Sequence, residues 1–424
     1  MIATAIRHVR GRRVWDSRGR PTVEAEVALE SGAIGRAIAP AGESTGSGEA
    51  VDLRDADGFD VRGAVANVNG CIARSLMGAD AEDQENIDRL LVGADGTTDK
   101  RKLGGNALIA VSMATLHAAA AAHGRPLWRY LAPDATCMPL PEIQIFGGGA
   151  HAARRIDIQD LMVVCPAARS FAEALDRSAA IYRAAGVYLA SRHLLQGVAD
   201  EGGYWPVFES NEEALDALVR AIESAGLIPG SDAAISLDIA ASQFRSAAGY
   251  RLSRDRRVLD TDGLIELLGR WIERYPIISI EDPLAEDDSE GFRRFTAAFG
   301  SKVQVIGDDL LVTNAARVRN AAASRLCNAV LIKPNQAGTI TETRAALAAA
   351  RESGMAEIVS ARSGESEDVT IVHLAVGWKA AQLKVGSFAR SERMAKWNEA
   401  LRIEEALGPG ATLARPFQKF QEQT

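Results

Sequence analysis

Val23, Ala25, Val27 and Leu29 alternate with Glu24, Glu26 and Ala28, a period of two that predicts a strand with one buried face. The strand-like Thr4 to Val14 precedes it, and Ser31-Gly32 turns the chain into a third run, Ile34 to Ile38. A small antiparallel sheet is expected. Next comes a loop, Ala41 to Gly48, with three glycines and no large apolar residue to anchor it, followed by helical periodicity to about Ala122. Sheet then helices predicts a compact α+β domain over residues 1–132, and Pro133 to Pro141 reads as a connector.

Beyond the connector, over 142–424, short apolar runs end in a polar residue and alternate with amphipathic segments. The runs end at Asp238, Glu281, Asp308, Lys333, Ser360 and Lys384, spaced 24 to 43 residues apart. A strand, a helix and two loops need about that length, so the rhythm predicts a βα barrel of the α/β class. In such barrels the strand ends converge on one mouth, where function resides. Three carboxylates and two lysines at such ends are more than the solvated starts of loops would supply.

Carboxylates converging without an interleaved His or Cys make a hard-oxygen site suited to Mg²⁺. A lysine beside a divalent cation has its ammonium form destabilised and can act as a base, which arginine cannot. Cation plus lysine is a device for removing a proton α to a carboxylate. Elimination also needs an acid, and Asp200-Glu201 in a loop and Asp160 at the end of the run Ile156 to Asp160 are candidates. Arg362-Ser363 follows another strand end and offers a guanidinium fork for phosphate, while the glycine run before His151 can lay backbone donors beside an anion.

Composition narrows the partners. The net charge is −8 and no Lys/Arg run is long enough to track phosphates, so nucleic acid is not expected. The longest apolar stretch, Leu108 to Ala122, is too short to span a bilayer, so no membrane segment is expected. Four scattered cysteines (Cys71, Cys137, Cys165, Cys327) without a C-x-x-C pair, and no secretory segment, suggest a reducing cytoplasm with each thiol buried as a small hydrophobe. Only 8 of the 48 basic residues are lysines, so two of them at strand ends stand out.

Asp16–Glu24, Ser44–Gly46, Gly147–His151, Asp200–Gly203, Ser279–Pro283, Gly307–Asp309, Leu331–Gln336, Arg362–Glu365 and Arg390–Arg393 together resemble enolase motifs in their usual order. The resemblance implies an enolase-type (βα)8 barrel capped by the N-terminal domain, two Mg²⁺ ions, the second arriving with substrate, and a homodimer or higher homo-oligomer. It implies Asp238, Glu281 and Asp308 as ligands of the first ion and Ser44 of the second, Lys333 as base and Glu201 as acid. Lys384 would hold the substrate carboxylate, Arg362 and Ser363 its phosphoryl group, with His151 and Gln159 nearby. Two departures stand out: Asp160 where enolases carry a glutamate, and Ala361 where they carry a histidine. With Glu43 in the lid, for which the sequence offers no account, they fall in or near the site while ligands and lysines stand. The expectation is a dehydratase with a changed substrate, a small phosphorylated or phosphonylated carboxylic acid. Ordinary enolase activity and a non-catalytic binding protein are the alternatives.

Overall fold

A computed structural model describes residues 3–418. The predicted sheet is present as three antiparallel strands, Ile6–Trp15, Pro21–Leu29 and Ile34–Ile38. Its inner face packs on the helix Gly105–Ala122, and the contact is so close that a Cβ on Gly35 would lie 2.0 Å from the Ala114 carbonyl oxygen. That helix starts three residues before the apolar run read from the sequence. By length and composition it is apolar enough to cross a membrane, yet most of it is buried as the core helix of this domain. Of the four free cysteines, Cys165 and Cys327 are buried as expected, whereas Cys71 is exposed.

Eight strands close the barrel: Leu140–Gly147, Asp160–Val164, Ala234–Asp238, Ile277–Glu281, Gln304–Gly307, Ala329–Ile332, Ala356–Ser360 and Gln382–Gly386. The first begins at Leu140, inside the connector placed at 133–141, and the C-terminal limit of 424 lies outside the described residues. Uniform βα order fails in one place. The first two strands are joined by Gly148 to Gln159, which carries no crossover helix, so the second strand runs antiparallel to both neighbours. Two successive helices, Phe171–Ser191 and Asn211–Ser224, then restore the direction.

This reversal corrects the reading of Asp160. It opens its strand rather than ending a run, and because the strand is inverted its start pairs with Asp238 at the mouth. Lys384 also differs, since its strand continues to Gly386.

Cap and barrel meet through two histidines. His117, on the cap helix, shares a 2.9 Å hydrogen bond with Thr370, and His373 meets it edge-on with ring centroids 6.1 Å apart. Burial, reinforced by His117, pushes His373 down to about 4 against the pull of Glu399 and Asp368. A folded value below the unfolded one of about 6.5 means that the unfolded chain takes up the proton first. Stability should therefore fall as pH drops from about 6.5 towards about 4, by on the order of 3 kcal/mol. Thermal unfolding across that window should show a shallower acid slope in His373→Gln; an unchanged slope would assign the loss to other groups.

Candidate active site

Lys384 lies at the centre of the barrel mouth. Its Nζ donates to Asp238 Oδ2 at 3.0 Å and Glu281 Oε2 at 2.8 Å, and lies 3.5 Å from Asp160 Oδ2. Burial alone would drive the ammonium down, but these carboxylates hold it well above the ordinary lysine range. Lys333, seated between the strand end Ile332 and Pro334, ion-pairs with Asp308. That partner outweighs burial and raises Lys333 too, so the unprotonated lysine expected from sequence is not its state while this ion pair stands.

The three strand-end carboxylates demand positive charge. Burial and the neighbouring Asp238 raise Glu281 well above the usual range, and its Oε1 has no hydrogen-bond partner. Gln159 donates to Asp238 Oδ2 at 2.8 Å and Gln336 to Asp308 Oδ1 at 3.0 Å. An all-oxygen, buried, anionic donor set with an orphaned oxygen fits a hard divalent cation. While the lysine ammonium groups hold them, Asp238, Glu281 and Asp308 do not bring their oxygens close enough together for one ion; among the described residues the all-carboxylate group that does is Asp282, Asp308 and Asp309. There Asp282, with φ +41°, accepts the backbone N–H of both Asp308 and Asp309 at 2.9 Å.

Opposite Lys333 lie the acid candidates. His151 Nδ1 is 3.6 Å from Asp160 Oδ1 and 3.8 Å from Glu201 Oε1. Burial, then the charge of Asp160, raises the Glu201 carboxyl, while Lys384 and His151 overcome burial to hold Asp160 low. Two neighbouring carboxyls are thus driven apart, one towards donating a proton and one towards permanent charge.

On the far side, Arg362 donates to Glu49 Oε2 at 2.8 Å, Asn335 Oδ1 at 3.2 Å and the Ser44 carbonyl at 2.9 Å. The lid is held over the mouth by this guanidinium and by Ser363 Oγ, which accepts the Glu43 N–H at 2.7 Å. Gly42 suits this position, because a Cβ would lie 2.7 Å from the Ser44 carbonyl oxygen as well as against the Arg362 guanidinium. The Glu43 carboxylate turns away to pair with Arg18 at 2.5 Å. A cation therefore neutralises the anion that the sequence left without a purpose.

Apart from Glu43 and Asp200 on loops and the two buried carboxylates Glu281 and Asp308, the side chains singled out from the sequence line one cavity of about 20 Å³, with Ala361 in its wall. Those two carboxylates are held by the lysine ammonium groups that the cavity does expose. Family models match along nearly the whole chain: the enolase N-terminal domain over residues 6–131 and the enolase C-terminal TIM barrel domain over residues 135–421. The chain belongs to the enolase family. It is accordingly an enolase-superfamily protein with the acidic barrel mouth of an enzyme.

Within that enolase frame, several contributors escaped sequence reading. Gln144, on the first barrel strand, donates to Asp160 Oδ1 and accepts the Gly203 N–H at 2.8 Å. It thereby ties Asp160 to the loop carrying Glu201. Glu142 and Gln144 alternate with Ile143 and Ile145, an interior-facing polar pattern that was available as a signal. Gln144→Leu should leave a buried carboxylate oxygen and an N–H unpaired and let both acid groups drift. A positional slip of about 1 Å can cost on the order of 10²-fold, so kcat should fall by about that much with KM little changed. Steady-state kinetics check this; a change in KM alone would make Gln144 a binding group instead.

Proposed function

We propose that this protein is a Mg²⁺-dependent dehydratase that removes the proton α to a carboxylate and eliminates water from a 2-phosphoglycerate derivative, specifically a carboxyphosphonoenolpyruvate synthase. The observation that carries the elimination is that Lys333 and the raised carboxyl of Glu201 line one small cavity. Released from its ion pair with Asp308 and deprotonated to solvent, Lys333 Nζ takes the α-proton and Glu201 gives its proton to the departing hydroxyl, so that a carbon–carbon double bond forms and water leaves. Lys384 holds the substrate carboxylate, Arg362 and Ser363 the phosphorus group, and His151, Gln159 and Asp160 line the leaving-group side. Asp238, Glu281 and Asp308 would hold one Mg²⁺ and Ser44 would help to hold another; bound there, magnesium supplies Lewis-acid stabilisation of charge developing on the carboxylate.

The substrate assignment rests on Asp160 and Ala361. The wall beside Arg362 carries a methyl group at position 361, which opposes a carboxyl substituent on phosphorus less than an imidazole would, next to a guanidinium able to bind it. A panel with Mg²⁺, comparing 2-phosphoglycerate with its carboxyphosphono analogue, tests the assignment. Preference for the analogue supports it; preference for 2-phosphoglycerate makes the protein an ordinary enolase; and turnover of neither leaves a binding protein on this fold. A homo-oligomer in a cytoplasmic setting completes the proposal, and sedimentation checks the assembly.

A further inference from the structure

His151 Nδ1 is a buried nitrogen without a hydrogen-bond partner, aimed between the carboxylates of Asp160 and Glu201. One ligand atom from each of His151, Asp160 and Glu201 falls within 4.8 Å of the others. The nitrogen–oxygen separations of 3.6 and 3.8 Å are too long for hydrogen bonds. They are close to the spacing of roughly 3.3 Å between neighbouring ligands around a tetrahedral ion bound at about 2.0–2.1 Å. We propose that His151, Asp160 and Glu201 form a site for a borderline divalent cation of the Zn²⁺ type, distinct from the Asp238, Glu281 and Asp308 carboxylates, whose occupancy blocks the acid side of the cavity.

The donor chemistry selects the ion. An imidazole nitrogen with two carboxylate oxygens and an open position towards the cavity suits zinc, whereas magnesium prefers oxygen alone and near-octahedral surroundings. The three ligands come from anchored elements. His151 sits on the turn Gly149–Ala152, whose residue 151 carbonyl accepts the Asp200 N–H at 3.2 Å beside Glu201, and Asp160 is fixed by Gln144. Lys384 approaches Asp160 through Oδ2, while Oδ1, on the His151 side, accepts the Gln144 amide and keeps a second lone pair for a cation.

Binding at this site does not depend on the proposed reaction. In protein saturated with millimolar Mg²⁺, titration with micromolar Zn²⁺ and metal analysis after dialysis should find one Zn²⁺ per chain that Mg²⁺ does not displace. His151→Asn should weaken it by at least about a hundredfold, while Mg²⁺ binding and thermal unfolding stay as in the unaltered protein. Crystals of the unaltered protein, diffracting at the zinc absorption edge, should place an anomalous peak against His151 Nδ1; this readout stands even if the variant misfolds. Zn²⁺ fully displaced by Mg²⁺, binding unchanged in a folded His151→Asn, or a peak among Asp238, Glu281 and Asp308 would each overturn the proposal. Failure of the substrate panel leaves these metal readouts untouched, so the two readings fail separately.

Discussion

Lys333→Ala should stop exchange of the substrate α-proton with solvent deuterium, a loss of about 10²–10⁴-fold if general base catalysis has its usual size. Divalent cation affinity should hold or rise, because the ammonium that now pairs with Asp308 Oδ2 competes for the same oxygen. Lys333→Arg separates charge from basicity. It can keep the ion pair with Asp308 but cannot deprotonate near neutral pH, so exchange should be lost while the fold and the carboxylate lattice are kept. Proton exchange followed by NMR in heavy water reads both variants. Full exchange in either one would remove Lys333 from the chemistry.

The strand-end rule found Asp238, Glu281 and Lys333 because a parallel barrel brings chemically unlike residues to one mouth by topology alone. Asp160 was found for a different reason from the one that places it there. Hydrophobic periodicity records burial and not strand direction, so the inverted second strand was legible only in the missing helix between Gly148 and Gln159. The lid needed tertiary information. Glu43 and Arg18 are 25 residues apart, and Glu49 and Arg362 are 313 apart, so neither pairing leaves a local trace. Gln336 on Asp308 and Gln144 on Asp160 are buried amides whose value lies in the oxygens they hold, which a chain pattern does not show. The protonation of Lys333 likewise follows from one ion pair, and residue type alone pointed the other way.

Asp160→Glu combined with Ala361→His should raise kcat/KM for 2-phosphoglycerate and lower it for the carboxyphosphono analogue. The added methylene at 160 would carry the carboxylate out from the strand towards Glu201 and His151, its neighbours across the cavity. An imidazole at 361 would fill the wall now lined by a methyl group and exclude a bulkier phosphorus substituent from Arg362. Gln144 complicates the first change, since its amide is matched to the shorter side chain, and groups in one hydrogen-bond network seldom contribute additively. Each single variant should therefore shift preference less than the pair, with Ala361→His acting mainly against the larger substrate. Steric exclusion sets the direction. If the unaltered protein already turns over 2-phosphoglycerate in the range of about 10⁴ to 10⁸ M⁻¹s⁻¹ found for efficient enzymes, the cavity is not specialised and the shorter acid at 160 works as well as the longer one.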